Sequence, residues 1–457
     1  MGSTCNNDKQ LLWANAPMAH HVEIEQQPWK RRAVLWSGAI LMGLAAVFFA
    51  EATTWAYDGF VRIISGRAWI ALLITPPVFA AIGWITSRKL PGARGSGIPE
   101  VIASLQVEDR SLNDRLLGLR VVAGKMSLTL LGLLVGASIG REGPTVHVGS
   151  GVMYALGKRF GFDNPKLAAR FILAGGGAGL AAAFNTPLAG VVFAIEELAG
   201  AFEHRLSGII IAAVFFSGVV SLGLIGNYSY FGTVHASLPL GEGWLAVLVL
   251  GLVGGLLGGA FARAILLDTG PLPRLAALRT RFPVWFAAGC GLALVGLGLL
   301  SHGSVYGTGY DQARALLQHE AHAPGESFGA LKLLANIVSY WAWIPGGLFS
   351  PALAVGTGLG HNIAPLFPHV DPAAVMLLGM AGYLAGVTQT PLTAAVISLE
   401  LTNNQGLVLP IMAVCLLARA SSALLCKKPV YSAFADRLVA DYERQHAADT
   451  GTPQREP

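Results

Sequence analysis

Long apolar runs are the feature that most limits what this chain can fold into. The first run, Ala33–Phe49, is long enough to span a bilayer and has no small-residue cleavage site, and a second run follows at Ala68–Ser87. Of the 457 residues, 53% are hydrophobic and 12% are charged, which favours a membrane protein over a set of soluble domains. We therefore predict an all-α polytopic membrane protein whose solvent is the lipid bilayer.

Basic residues cluster at the ends of the apolar runs. This pattern indicates membrane topology rather than a nucleic-acid surface, although the net charge is +5, so we expect no nucleic-acid partner. Cytoplasmic loops of membrane proteins carry an excess of Lys and Arg. We predict a cytoplasmic N-terminal segment, residues 1–32, and a cytoplasmic tail, residues 433–457. The basic residues concerned include Lys30, Arg31, Arg32, Arg88, Lys89, Arg94, Arg274, Arg279 and Arg281.

The cysteines give no sign of a metal site or a disulfide framework. They are scattered without the spacing that either would require, so we expect them to be packing residues. We accordingly expect no metal and no cofactor. The four cysteines are Cys5, Cys290, Cys415 and Cys426.

The chain contains an internal duplication. Three anchors recur in the same order at offsets of 212, 207 and 204 residues. Small loop deletions leave offsets that shrink in this way, whereas chance matches would not stay in register. We therefore divide the membrane portion into a first repeat, residues 33–226, and a second repeat, residues 243–432. The anchor pairs are Gly95–Gly97 with Gly307–Gly309, Pro144–Gly151 with Pro351–Gly358, and Thr186–Leu188 with Thr390–Leu392.

Several apolar stretches are too short to cross roughly 30 Å of hydrocarbon. They include Pro144–Leu156, Leu173–Ala183 and Pro351–Leu359. Irregular backbone at membrane depth is tolerated only where it is buried in protein or lines a cavity. Duplicated transporters use such broken helices to build a binding site near the midplane, between their halves. We predict broken and re-entrant helices around a transported ligand.

Three Gly-rich motifs, each ending at or near a proline, predict where the broken helices begin. They are GSGIPE (Gly95–Glu100), GREGP (Gly140–Pro144) and GGLFSP (Gly346–Pro351). A helix start leaves backbone N–H groups unpaired and carries a partial positive charge, which together attract an anion. Such a site suits a small halide that must also leave again, because a buried Lys or Arg would hold it too tightly.

Glu142, in the middle of GREGP, needs an explanation of its own. A charged side chain in hydrocarbon costs about 2.5–3.5 kcal/mol on insertion scales. A carboxylate is itself an anion, so it can lie against the same helix starts that attract a halide, which lowers this cost. We expect a small anion to compete with Glu142 for this place.

Together with PVYSA (Pro429–Ala433), the three motifs resemble the CLC family of chloride channels and chloride/proton exchangers, in the family's order and over nearly the whole membrane portion. The resemblance implies a homodimer in which each subunit has its own anion pathway and is built from two inverted-topology repeats. The compact chain is similar to bacterial members of the family, so we expect the protein to lie in the bacterial inner (plasma) membrane. The chain ends soon after Tyr431, and we expect it to lack the paired cytosolic regulatory domains of larger relatives.

The resemblance assigns anion-binding roles to four residues. Ser96 is similar to the serine whose hydroxyl contacts the central chloride, and Tyr431 is similar to the tyrosine whose phenol contacts it from the inner side. Leu348 and Phe349 would contribute backbone amides. Relatives specialised for nitrate tend to carry proline at the Ser96 position.

The resemblance also assigns the proton pathway. Glu142 resembles the external gating glutamate, which occupies an anion site when chloride does not. Glu197, the second acid of AIEEL, resembles the internal glutamate with which exchangers take protons from the cytoplasm. Lys125 and Arg141 match family positions that are expected to set the positive potential of the pathway.

Each of these assignments has a purely structural alternative. Ser96 can be a helix N-cap, and Tyr431 can belong to the aromatic belt at the membrane interface. Glu142 can pair with the arginine before it, although adjacent side chains on a helix do not face each other. We expect Glu196 and its repeat mate Glu400 to make structural hydrogen bonds.

An enzyme is the most distant alternative. Gly136–Gly140 fits the G-x-S-x-G pattern of hydrolase nucleophile elbows, which would make Ser138 the nucleophile of an intramembrane esterase or protease. That motif needs a preceding strand and both His and acid partners, and a Gly-rich helical context offers neither. We expect no enzyme, and we expect the nearby His147 to be a core or interfacial histidine.

Two transport functions remain. A chloride/proton exchanger and a passive, voltage- or pH-gated chloride channel would share the anion site. Channels of the family generally lack an acid at the Glu197 position, so its presence favours the exchanger.

Overall fold

A computed structural model describes residues 28–107, 109–162, 164–200, 207–226, 229–266 and 272–450. Within these ranges the regular structure is helical, and the one β-type pairing is an isolated bridge between Gly140 and Gly347. The helices of the first repeat are α1 (Pro28–Ile64), α2 (Ile70–Arg88), α3 (Ile98–Gln106), α4 (Arg110–Leu117), α5 (Leu119–Leu134), α6 (Glu142–Arg159), α7 (Pro165–Phe184), α8 (Pro187–Phe193) and α9 (Ser207–Ile225).

The second repeat follows the same order, except that a short helix, α11, precedes α12 and that α13 is followed directly by α14, without a counterpart of α4. Its helices are α10 (Glu242–Ile265), α11 (Pro273–Arg281), α12 (Pro283–Leu300), α13 (Tyr310–Leu317), α14 (Phe328–Trp341), α15 (Phe349–Ile363), α16 (Pro372–Thr388), α17 (Pro391–Thr402) and α18 (Val408–Leu425), and a final helix, α19 (Val430–Thr450), leads into the tail.

The helix limits can be compared with the predicted segments. Helix α9 ends at Ile225 and α10 begins at Glu242, so no helix of the described chain crosses the gap between the predicted repeats. Residues 28–32 of the predicted N-terminal segment form the start of α1, and the rest of that segment, with Cys5, lies outside the described residues. Helix α19 runs through the predicted boundary at residue 432, because nothing in its sequence interrupts the helix between Tyr431 and the tail.

Eight helical segments of the described chain are long and apolar enough to cross a membrane. One of them, α7, corrects the sequence prediction, which treated Leu173–Ala183 as a fragment too short to span. The apolar run is only the later part of a 20-residue helix. Asn164 caps that helix, because its side chain accepts a hydrogen bond from the Lys166 backbone N–H, and helical structure therefore begins before the apolar run does.

The three predicted helix starts are confirmed. Helix α3 begins at Ile98 within GSGIPE, α6 begins at Glu142 within GREGP, and α15 begins at Phe349 within GGLFSP. Gly97, just before α3, has a φ of 100°, a left-handed conformation that glycine adopts without strain.

Reciprocal contacts relate the two repeats by a two-fold rotation. The Gly140 N–H donates to the Gly347 carbonyl at 2.8 Å, and the Gly347 N–H donates to the Gly140 carbonyl at 2.7 Å. Helices α6 and α15 both begin two residues after the paired glycines, so their starts lie beside each other. The repeats therefore have inverted topology, with the helix starts gathered at the axis.

A second reciprocal contact repeats this symmetry. The carboxylate of Glu196 accepts two backbone N–H bonds, of 3.1 and 2.6 Å, at the start of α17, and the carboxylate of Glu400 accepts two bonds of the same lengths at the start of α8. Each acid thus satisfies the unpaired N–H groups of a helix in the opposite repeat. The structural role expected of this pair is confirmed. The donors are Leu392 and Thr393 for Glu196, and Leu188 and Ala189 for Glu400.

Candidate functional site

The starts of α3, α6 and α15 converge at the two-fold axis. A Cβ atom added to Gly143 would lie 2.8 Å from the carbonyl oxygen of Ser96 and 3.0 Å from its hydroxyl oxygen. A Cβ atom added to Gly347 would lie 2.8 Å from the Gly143 nitrogen. Only glycine allows the three segments to approach this closely, so the motifs supply both the helix starts and the room for them to meet.

Glu142 lies fully buried at this convergence. Its Oε1 accepts a hydrogen bond of 2.5 Å from the Ser350 hydroxyl, and its Oε2 lies 3.5 Å from the Ser350 backbone nitrogen. Ser350 is in the first turn of α15, where the helix presents unpaired N–H groups and a partial positive charge. The carboxylate therefore occupies the kind of place that a small anion would take.

Arg141 has other partners. Its guanidinium donates to the Ala50 carbonyl on α1 at 2.9 Å, and it lies 5.9 Å from the centre of the Tyr230 ring. Glu142 is directed instead toward α15. This geometry disfavours the alternative in which the two neighbours serve mainly as an ion pair.

Ser96 is fully buried at the start of α3. The N-cap position is Gly97, but the Ser96 hydroxyl oxygen accepts a bond of 3.2 Å from the backbone N–H of Ile98, the first residue of α3, and so resembles the cap named as the alternative. Capping uses an oxygen lone pair and leaves the hydroxyl hydrogen available. The cap and an anion-binding role are therefore compatible, and the same hydroxyl can serve both.

Tyr431 is also fully buried, which does not fit a residue of the interfacial belt. Its ring stacks on Phe349 with centroids 6.1 Å apart, and Ser96 is within reach of its hydroxyl. Among the described residues that hydroxyl has no hydrogen-bond partner of normal geometry. Because an unsatisfied buried hydroxyl is costly, this atom is a candidate ligand-binding group.

Leu348 and Phe349 complete this region. Leu348 is the N-cap position of α15 and Phe349 its first residue, so their amides belong to the set that a helix cannot satisfy internally. Both side chains are buried. The four predicted anion-binding residues thus lie at the starts of α3, α15 and α19, around the place where Glu142 begins α6.

Glu197 lies on the π-helical turn Ala194–Leu198, which continues α8. Its side chain is 6% exposed, and its Oε2 has no hydrogen-bond partner among the described residues. Glu196, beside it, is fixed to the start of α17. The wider turn therefore gives adjacent acids different environments, one bonded and one with an oxygen left over, and π-helical turns are frequent at functional sites.

Lys125 and a residue that the sequence analysis did not single out, Lys332, are both fully buried. Lys125 donates to Glu100 at 3.2 Å and to the Arg94 carbonyl at 3.1 Å, so a carboxylate balances its charge. Lys332 donates to backbone carbonyls, Val305 at 2.9 Å and Gly307 at 2.7 Å. The two lysines are separated by the same 207 residues as the second anchor pair, a signal that could have identified Lys332.

Ser138 is not placed as a hydrolase nucleophile. It follows helix α5 rather than a strand, and its hydroxyl donates to Asn336 at 2.7 Å and to the Val305 carbonyl at 3.0 Å. His147 is fully buried, and its Nε2 lies 2.8 Å from the Leu116 carbonyl. Both residues have structural partners.

Comparison with known proteins decides the family. A family model described as "Voltage gated chloride channel" matches residues 78–423, which is well over half of the chain.

The chain belongs to the voltage-gated chloride channel, or CLC, family.

Curated relatives extend the match beyond the family model. The "H(+)/Cl(-) exchange transporter ClcA" of Klebsiella pneumoniae subsp. pneumoniae is 30% identical over 462 residues, which covers 93% of each protein. The protein of the same name from Yersinia pestis bv. Antiqua is 31% identical over 435 residues, covering 89% of this chain and 87% of the relative.

Solved structures agree with the fold. A CLC-type fluoride/proton antiporter aligns with a TM-score of 0.73 at 25% identity, covering 88% of this chain and 97% of the other. A slow cyanobacterial Cl⁻/H⁺ antiporter aligns with a TM-score of 0.75 at 23% identity, covering 91% and 99%. The CLC architecture therefore extends over nearly the whole described chain.

Two side chains of the region around Glu142 in this CLC protein were also not predicted from the sequence, Ser350 in contact with Glu142 and Tyr230 in contact with Ser350. Ser350 is inside GGLFSP, but the resemblance directed attention to the two residues before it. Tyr230 lies in the segment that joins the repeats, and its hydroxyl is 3.4 Å from the Ser350 hydroxyl. No motif identifies Tyr230, because its relation to Glu142 arises only from packing.

Proposed function

We propose that this CLC-family protein is a secondary active antiporter that exchanges chloride for protons. The single observation that carries the proposal is the buried Glu142 carboxylate, held at the start of α15 by Ser350. The curated relatives named H(+)/Cl(-) exchange transporters support the same function.

Competition between two anions is the proposed basis of coupling. A chloride ion that enters from outside takes the donors at the start of α15, and Glu142 must leave them. Away from these donors a buried carboxylate is less stable as an anion, so it binds a proton. Return of Glu142 to α15 requires loss of that proton and departure of chloride. Each cycle thus moves the two ions in opposite directions.

In the inner part of the pathway, one group of residues would bind chloride and another would transfer protons. Chloride at the central position would be contacted by the hydroxyls of Ser96 and Tyr431 and by the amides of Leu348 and Phe349. Protons would reach Glu142 from the cytoplasm by way of Glu197, whose Oε2 is free to interact with a proton donor among the residues described. Helix starts and hydroxyls bind chloride weakly enough for release.

A passive chloride channel is the runner-up function. It would use the same anion site, but it has no need for a second buried acid. Glu197 is buried within one helical turn of the acid that ties α8 to α17, and we assign it to proton transfer. This assignment favours exchange over passive conduction.

The proposal includes the setting in which exchange occurs. We place the protein in the bacterial inner membrane as a homodimer, with an anion pathway in each subunit and with no cofactor. The arginines and lysines at the start of α1 and the end of α2 support a cytoplasmic N-terminus, and we propose the same side for the C-terminal tail.

The test is proton movement in reconstituted liposomes under an imposed chloride gradient, with no membrane potential other than that set by the ions. Exchange predicts uphill proton flux, abolished when the chloride gradient is removed. Protein-free liposomes are the control for leak. Chloride flux without uphill proton flux would make the protein a channel.

A further inference from the structure

The hydroxyl of Ser350 makes the shortest contact to Glu142. Ser350 is 2% exposed and lies in the first turn of α15, so its side chain is held in the anion site rather than in solvent. A hydroxyl has one hydrogen. While Glu142 is a carboxylate, which can only accept, the Ser350 hydrogen is committed to the 2.5 Å bond with Oε1.

This commitment decides the direction of the next contact. The Tyr230 hydroxyl lies 3.4 Å from the Ser350 oxygen, and either atom could donate by geometry alone. Because the Ser350 hydrogen points at Glu142, Tyr230 must be the donor in this contact. The result is a directed chain from Tyr230 to Ser350 to Glu142, in which each donor strengthens the next.

Tyr230 is well placed to hold this direction. Its ring is 4% exposed and makes edge-on contacts with three aromatic rings, with centroids 5.3 Å away for Phe184, 5.0 Å for Phe231 and 4.5 Å for Tyr310. The Arg141 guanidinium lies 5.9 Å from its ring centre. The phenol is therefore fixed by packing, and its hydroxyl acts from a rigid support.

We propose that Ser350, oriented by Tyr230, is a hydroxyl ligand of the outer anion site, which stabilises the bound Glu142 carboxylate and then donates to the chloride that replaces it. The inference rests on the proposed exchange function and adds a residue to its outer site. Ser350 contacts the reacting carboxylate, and Tyr230 is a positioning residue that acts through Ser350. Together they set the pH at which Glu142 releases the site.

Other charged and titratable groups face the same region, and the experiment must leave them unchanged. They lie on the elements packed around α15 and on the inner side of the site, and none of the substitutions below alters them. They are Arg141, Asp311, Lys332, Tyr431 and Glu197. Tyr310 also lies there, and it is changed only in its own control variant.

The first measurement is chloride flux across pH for Ser350→Ala and Ser350→Thr. Protonation of Glu142 opens the site, so flux rises as pH falls. Loss of a donor to the carboxylate favours its protonated form, and the flux midpoint should move to higher pH by about one to two units for Ser350→Ala. Ser350→Thr keeps the hydroxyl and should keep the midpoint near that of the parent. Thr357→Val is the matched control, because Thr357 is on the same helix and its hydroxyl donates within its own turn, to the Leu353 carbonyl at 2.9 Å.

The second measurement uses Tyr230→Phe, which keeps the ring and removes the hydroxyl. The midpoint should move in the same direction by less than about one unit, because a neutral donor is lost one step away. Tyr310→Phe removes a hydroxyl from the same aromatic cluster and should leave the midpoint in place. This pair also tests the inference if Ser350→Ala fails to fold.

The third measurement separates the ligand role from the gate. In a Glu142→Gln background no carboxylate competes, and calorimetry reports chloride binding directly; there Ser350→Ala should weaken binding about tenfold. An unchanged affinity, an unchanged pH midpoint in folded Ser350→Ala, or an equal shift in Ser350→Thr each overturns the inference. If instead the parent protein carries chloride without uphill proton flux, the proposed function itself is wrong.

Discussion

Replacing Glu142 by alanine should do what no ordinary salt-bridge mutation does. The substitution removes a tethered anion from the start of α15 and leaves two buried donors, the hydroxyl and the backbone N–H of Ser350, without their acceptor. Each unsatisfied buried donor costs about 1–3 kcal/mol. In chloride-free buffer Glu142→Ala should therefore be less stable than the parent by about 2–4 kcal/mol, a range that allows for water entering the vacated space.

Chloride should reverse this loss. A ligand present at one hundred times its dissociation constant stabilises the folded state by about 2.7 kcal/mol, enough to offset most of the penalty. The parent should respond less, because chloride must first displace its own carboxylate. Glu142→Ala should also carry chloride at least as fast as the parent, lose proton transport and lose pH dependence, since the acid that blocks the path and carries the proton is gone.

The assay combines thermal unfolding with flux on one purified sample. Melting is followed in detergent with chloride and with an anion that the site does not bind, and chloride efflux and proton flux are then measured in liposomes across pH. A structural role for the Arg141–Glu142 pair predicts a different outcome, because an uncompensated buried charge lowers stability whatever the anion. Collapse of chloride efflux together with stability in chloride, or continued uphill proton movement, would refute the gating assignment.

Three further predictions follow from the site and its supports. Glu197→Gln keeps the side-chain shape but cannot ionise, so liposome assays should show chloride flux with almost no proton flux, and full coupling would transfer the role to Glu196. Ser96→Pro removes the hydroxyl and should raise nitrate coupling relative to chloride, whereas unchanged nitrate transport in a folded variant would argue against Ser96 as a ligand. Glu400→Gln weakens the two N–H bonds at the start of α8 and should lower the free energy of unfolding by about 1–3 kcal/mol. Glu196→Gln should have the same effect at the start of α17, because the bonds there have the same lengths. A large difference between the two variants in thermal unfolding would contradict the two-fold symmetry of these contacts.

The helix starts were predictable because they depend on local chemistry. A glycine that tolerates left-handed backbone and a proline that fits the first turn act within a few residues, so GSGIPE, GREGP and GGLFSP indicated where α3, α6 and α15 begin. The same local reasoning failed for α7. The first turns of α7 are polar and are not part of an apolar run, although the capped helix includes them.

The partners of the acids were not predictable from any motif. The duplication indicated that Glu196 and Glu400 have equivalent roles, and a structural role was expected for both. The backbone groups that they bind depend on how α8 and α17 cross at the two-fold axis, and these two helices belong to different repeats, far apart in the chain. A contact of that range results from the packing of whole helices, which residue types alone do not specify.

The sequence by itself determined that this is a membrane protein with an internal duplication, and it predicted that helix starts gather around an acid as a candidate anion site. These properties follow from hydrophobicity, repetition and local backbone chemistry, which depend only on the residue types and their order. Only the tertiary structure decided that Ser350 contacts Glu142 and that Tyr230 contacts Ser350. It also decided that Lys125 is balanced by Glu100 while Lys332 bonds to carbonyls. The physical reason is that a buried polar group takes its partner from whichever helix packs against it, and a difference of one helical turn in that packing changes the partner.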